Sequence, residues 1–103
     1  MTAPPENVTT LVGYQAAARR TINHALTDDQ RLLDASAGLA EEAGEVLSHV
    51  RKHLLQGRPL DREAVMLELG DALWCLAIAA DTLGVSLQDV AQRNVEKLRS
   101  RHP

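Results

Sequence analysis

Residues 64–80 read AVMLELGDALWCLAIAA, an apolar run broken only by Glu68, Gly70 and Asp71 near its middle. Read as a helix, this stretch carries Val65, Leu69, Leu73, Leu76 and Ile78 around its whole circumference and keeps no polar face, so it must be covered on every side. Two mid-segment carboxylates are too costly for a membrane span. A chain of 103 residues has too few other helices to enclose such a segment. The run therefore predicts a homodimer or homotetramer, oligomerising through this apolar third helix.

The punctuation around the run gives the rest of the architecture. Asp61 is a fitting N-cap with Glu63 in the first turn, and Gly84 suits the left-handed position just after a helix ending near Leu83. Upstream, Gly57 and Pro59 end a second helix that opens at Thr27, where Thr27 and Gln30 have capping-box spacing. A first helix is expected over about residues 8–25, with Leu11, Ala18 and Ile22 on one side. Ser86 and Asp89 cap a fourth, about residues 87–101, which is amphipathic and gathers Arg93, Lys97 and Arg99 where the helix dipole favours cations. Residues 1–7 (MTAPPEN) read as a disordered tail, without the basic and apolar segments of a secretory signal. No strand pattern competes, so the chain is expected to form one all-α four-helix domain over residues 1–103.

Composition narrows the function. The formal net charge of −3 lacks the basic surplus expected of a protein that coats nucleic acid or an anionic membrane. A single cysteine, Cys75, cannot form an internal disulfide and sits in the apolar run as a small core residue, which fits a cytoplasmic protein. With 45% apolar residues but no Phe, one Trp and one Tyr, the core must be made of Leu, Val, Ile and Ala. Such a core is thin, because Ala buries little area.

The chemistry lies in the acids. Glu41, Glu42 and Glu45 stand on the second helix, and Glu68 and Asp71 repeat an i,i+3 pair on the third. At about 100° per residue each pair occupies one helix face. Glu45 lies twelve residues before Gly57 and Glu68 eleven after it, so a tight antiparallel connection sets both pairs at one height, facing each other. Glu41 alone is readily explained as a solvated surface charge. The other four would repel one another and raise their own pKa values unless a divalent cation joined them. All-oxygen ligands without a Glu-x-x-His pair indicate Mg²⁺ or Mn²⁺ rather than a di-iron centre. Gly44 and Gly70, each costing about 1 kcal/mol against Ala in a helix, suggest close approach of a helix or a ligand beside these acids.

The two motifs, GLAEEAGEV at residues 38–46 and LELGDALW at 67–74, resemble those of the MazG-like nucleoside triphosphate pyrophosphohydrolases. A later Asn94-x-x-Lys97 before Arg101 extends the resemblance from about Tyr14 to the end of the chain. It implies an all-α fold that forms dimers or tetramers, and Mg²⁺-dependent cleavage of a (d)NTP to a (d)NMP and pyrophosphate. Carried onto this chain, Glu42, Glu45, Glu68 and Asp71 become metal ligands, and Glu41 orients or deprotonates the attacking water. Lys52, Lys97 and Arg101 are candidates for binding phosphate, and Asn94 for sugar or phosphate. Trp74 is a candidate for stacking on the base, and Gln15, with Tyr14, for bordering the nucleoside. The scarcity of aromatic residues makes house-cleaning of non-standard nucleotides a conceivable role.

Two other function classes fit parts of the sequence. His49-Val-Arg-Lys52 offers the His-x-x-Lys of a histidine phosphotransfer bundle, although it leaves Glu68 and Asp71 unexplained. The apolar third helix by itself would suit a catalytically silent association or regulatory module.

Overall fold

The computed structural model describes residues 8–103, and the tail expected over residues 1–7 lies outside the described residues. Four helices follow one another: α1 (Leu11–Arg19), α2 (Asp28–Gln56), α3 (Arg62–Thr82) and α4 (Leu87–Arg101). No strand occurs among the described residues. The all-α expectation holds, and the caps act as read. The Thr27 hydroxyl accepts from the Gln30 N–H at 3.2 Å while the Gln30 side chain accepts from the Thr27 N–H at 3.0 Å. Asp61 accepts from Ala64 N–H at 3.0 Å and Ser86 from Asp89 N–H at 2.9 Å. Gly84, at φ 73°, closes α3 in a Schellman motif, with Val85 N–H donating to Ala80 C=O and Gly84 N–H to Asp81 C=O.

The first helix is shorter than expected. Instead of running over residues 8–25 it starts after the N-cap Thr10 and ends at Arg19. Beyond that point side chains offer the backbone local alternatives to a helix: the Thr21 hydroxyl donates to Ala18 C=O at 2.7 Å, and the Asn23 side chain accepts from Ala25 N–H at 3.0 Å. Arg31 then fixes the resulting loop by donating to the carbonyls of Asn23 and Leu26.

α3 is the hub and touches each of the other helices; α2 runs along it as an antiparallel hairpin, and α1 also packs on α4. The buried core gathers around the second half of α3, where Ala77 and Ile78 meet Ala18 of α1, Ala35 of α2 and Leu87 of α4. Leu11, Tyr14, Ile22, Leu73 and Trp74 close around it. Gln15 is the one buried polar residue among those described. Its amide donates to Val85 C=O at 3.1 Å and accepts from Leu87 N–H at 2.7 Å, tying α1 to the α3–α4 connection. Arg19 and Asp81 brace the same junction with a 2.7 Å ion pair.

The glycines depart from expectation. A methyl group on Gly44 or Gly70 would meet nothing within 4 Å, so neither lies against another part of this chain. The close approach occurs at Gly38, where an added Cβ would stand 2.9 Å from the Cys75 sulfur. That contact lets α2 and α3 come together one turn before Glu42.

Two outcomes follow for stability. Gly38→Ala is expected to destabilise the protein in denaturant unfolding. In a Cys75→Ala background, where the clash is gone, the same change should stabilise by up to about 1 kcal/mol through helix propensity. Gln15→Ala strands a buried donor and a carbonyl and should cost about 1–3 kcal/mol, read as a lower urea midpoint with an unchanged m-value.

Candidate metal and phosphate site

The α2–α3 hairpin brings Glu42, Glu68 and Asp71 together, with one carboxylate oxygen from each within 4.8 Å of the others. The long α2 and the tight connection after Gly57 put these side chains at one level, as equal distances from the turn require. Glu42 and Glu68 are half-buried between the helices, and Asp71 is exposed at the mouth. Glu42 Oε2 is buried and has no hydrogen-bond partner when both neighbouring carboxyls are ionised.

This crowding shows in the proton equilibrium of Glu42, whose pKa is pushed up from the ordinary 4.5 to about 7. Hydrogen bonding with Glu68, which requires the two carboxyls to share a proton, is the largest cause. Desolvation follows, and the charges of Glu68, Asp71 and Glu45 add to it. Glu45 therefore acts on the cluster electrostatically, but it is exposed and stands outside the close set of three. Glu41 is exposed one residue before Glu42.

Tyr14 and Cys75 both feel the charge of the acids. Tyr14 on α1 has its hydroxyl pKa raised by burial first, then by the nearby charge of Asp71. Burial likewise raises the Cys75 thiol, with Glu42, Asp34 and Asp71 adding to the shift. Cys75 is thus a small buried residue, as read, but one set against the carboxylates.

His49 was read only as a possible phosphotransfer residue. Its Nε2 lies 4.0 Å from Glu68 Oε1, with both side chains about three-quarters covered, so the ring faces an acid of the cluster. The signal was present in the sequence: His49 follows Glu42 by two helical turns and therefore shares its face.

The remaining candidates are spread more widely. Lys52 is half-buried on α2, towards the hairpin end. Asn94, Lys97 and Arg101 are exposed on α4, which packs on α1 and α3 and does not touch α2. Trp74 is half-buried, and its indole N–H donates to the Thr21 hydroxyl at 2.7 Å. Gln15, expected beside a nucleoside, has both ends of its amide engaged by Val85 and Leu87 and is 5% exposed, because it serves the α1–α4 junction.

Comparison with known proteins gives the site a context. The "Gene 37 protein" of Mycobacterium phage L5 is 36% identical over 96 residues, which cover 85% of this chain and 84% of that protein. The "Uncharacterized protein YvdC" of Bacillus subtilis (strain 168) is 39% identical over 72 residues, covering 61% of this chain and 68% of that protein. No solved structure matches the chain. Residues 30–103, which hold all three clustered acids, match the MazG nucleotide pyrophosphohydrolase domain, and the chain belongs to that family.

Proposed function

We propose that the protein is a divalent-metal-dependent pyrophosphohydrolase that cleaves a nucleoside triphosphate between its α- and β-phosphates, releasing a monophosphate and pyrophosphate. The observation that carries this reading is the partnerless, buried Oε2 of Glu42 within a cluster of three carboxylates. A buried carboxylate oxygen without a donor is unfavourable by itself, and a hard cation is the partner its chemistry asks for. The donor set fits Mg²⁺, with Mn²⁺ as a substitute.

In this reading Glu42, Glu68 and Asp71 hold the ion, and Glu45 supplies a fourth carboxylate from the next turn of α2. When bound, the ion polarises phosphoryl oxygens and offsets the negative charge that develops on them. Glu41, on the exposed side of α2, orients water and accepts its proton. His49 holds Glu68 in place from the α2 side. Lys52, Lys97 and Arg101 bind phosphate oxygens, Asn94 bonds to sugar or phosphate, and the exposed part of Trp74 meets the base. With only 2% aromatic residues the chain has little with which to select one base, which suits a house-cleaning role on damaged nucleotides. The cytoplasm supplies both nucleotide and Mg²⁺. No helix among the described residues is long and apolar enough to cross a membrane.

Pyrophosphate release from a panel of standard and damaged NTPs, with Mg²⁺ or Mn²⁺, tests the proposal. Activity on at least one substrate is expected, and Glu42→Gln or Asp71→Asn should lower it by about 100-fold or more while the helical circular dichroism stays unchanged. No pyrophosphate from any nucleotide with either metal would sink the proposal in favour of a silent association module.

The proton equilibrium gives a second test that needs no substrate. Between pH 4.5 and about 7 the folded, metal-free protein keeps a proton on Glu42 that the unfolded chain has lost. The folded state binds more protons in this window, so stability falls as pH rises through it. In chelator the melting temperature should therefore drop from pH 5 to pH 7.5, and Glu42→Gln should flatten that slope. Millimolar Mg²⁺ should raise the melting temperature at pH 7.5 and have less effect at pH 5, where it competes with the proton.

A further inference from the structure

One carboxylate in the first half of α2 has no local purpose. Asp34 lies beyond the first turn, where Asp28 and Asp29 already answer the helix dipole. The basic residue three positions before it, Arg31, is engaged elsewhere, donating to the Asp28 carboxylate and to the carbonyls of Asn23 and Leu26. Asp34 is exposed, and among the described residues it has neither a hydrogen bond nor an ion pair. Its charge nevertheless reaches the Cys75 thiol, on which the charges of Glu42 and Asp71 also act.

Asp34 stands at the edge of a groove of about 310 Å³, walled by Leu26, Gln30, Leu33, Asp34 and Ala37. That volume is within the range of small-molecule sites. Leu26, Leu33 and Ala37 form an apolar floor, and the bonds from Arg31 to the Asn23 and Leu26 carbonyls hold the loop side of it in place. Its polar groups are Gln30 and Asp34, neighbours on the helix surface at i,i+4. The Gln30 amide cannot flip, because its oxygen accepts from the Thr27 N–H at 3.0 Å in the capping box. Its NH₂ group is left without a partner among the described residues. The groove therefore presents a fixed donor beside a carboxylate that, when ionised, can only accept.

The groove opens on the same side as the acids. At 100° per residue Gln30, Asp34, Glu41 and Glu45 fall within about 60° of one another around α2. On α3 the path from Glu68 to Asp71 to Trp74 turns in the same sense as that from Glu42 to these residues. Between antiparallel helices, turns of one sense away from the shared contact reach one face. Asp34 is about 12 Å along α2 from Glu42. Trp74 precedes Cys75, which faces Gly38, so it is level with residue 39 and stands between the two. A nucleoside reaching from an ion at the acids towards Asp34 passes beside its indole.

We propose that this groove reads the base of the nucleotide and selects guanine, with Asp34 accepting from N1–H and the 2-amino group while the Gln30 NH₂ donates to O6. The inference rests on the reading of the acidic cluster as a nucleotide site. Guanine is the base whose pairing edge carries one acceptor followed by two donors, the complement of one amide NH₂ followed by a two-oxygen carboxylate. Adenine and cytosine would turn a ring-nitrogen lone pair towards Asp34. Uracil and thymine would turn their O2 towards it. Hypoxanthine lacks the 2-amino group and leaves one carboxylate oxygen unmatched. Guanine oxidised at C8 keeps the whole pairing edge, because the damage lies on its other ring, so this selection is compatible with house-cleaning.

Titration calorimetry in Mg²⁺ with α,β-methylene triphosphates of guanosine, inosine and adenosine tests the selection. These analogues cannot be cleaved at the α–β position, so binding is read whether or not the protein is a hydrolase. The guanosine analogue is expected to bind at least about tenfold more tightly than the other two, since unmatched polar groups disfavour the wrong base. Asp34→Asn should abolish that ratio, with the helical circular dichroism and melting temperature unchanged. Gln30→Glu keeps a capping-box residue but gives up the donor, and it should reduce the ratio in the same direction. Equal affinities for the three analogues, no binding of any of them, or a ratio that survives Asp34→Asn overturns the proposal. Guanine-selective binding without pyrophosphate release from GTP would overturn the hydrolase reading and support this one; pyrophosphate release with no preference in binding would do the reverse.

Discussion

Three carboxylates held at one level by a helical hairpin are the constraint on which the rest of this structure depends. Glu42 cannot swing away from Glu68 and Asp71, because α2 and α3 are locked on both sides of the cluster. On one side Gly38 admits the Cys75 sulfur and brings the helices close. On the other, Gly57 at φ 67° turns the chain and Asp61 starts α3 within a few residues. Crowding that a flexible loop would relax is instead retained, and Glu42 keeps its proton to a higher pH, through hydrogen bonding with Glu68 first, then burial, then the neighbouring charges.

That repulsion is set against a modest core. Ala18, Ala35 and Ala77 supply much of the buried surface, and Ile78 is the one large side chain among those described that is almost wholly enclosed. Alanine permits close helix packing but removes little apolar area from water. The buried residues of α3, Cys75, Ala77, Ile78 and Ala80, all lie in its second half, whereas its first half, which carries the acids, has none. The end of α3 that carries the acids is therefore the less buried one. An ion that joined the acids would add stability where the single chain has least.

The helix ends were legible because a cap is decided within three or four residues. Thr27 with Gln30, Asp61, Ser86 and Gly84 each declare themselves locally, and each behaves as its chemistry requires. The carboxylate level was legible for a similar reason, since helical rise and a short connection fix it by arithmetic. What escaped depends on distant partners. Gln15 looks like any polar residue of an amphipathic helix, and only the fold reveals that it ties down Val85 and Leu87, seventy or more positions away. The cost of Gly44 and Gly70 was visible, but the residue that touches another helix is Gly38, whose neighbour Cys75 lies on a different helix. The early end of α1 was missed because the apolar spacing continues to Ile22, while Thr21 and Asn23 divert the backbone into local hydrogen bonds.

The sequence reading took the third helix as apolar on every side, and in this chain its second half is buried while Met66, Leu67, Leu69 and Leu76 stay exposed. Half of α3 is already covered from within the chain, so what remains exposed is a stripe shared with α2. The division of labour on α2 then becomes intelligible. One face carries Glu42, set against Glu68 and Asp71, with Glu45 adding its charge from the next turn. The opposite face changes from small residues to large ones at the same height. The acids depend on the packing of α2 against α3, because any bending of α2 away from α3 would open the carboxylate cluster.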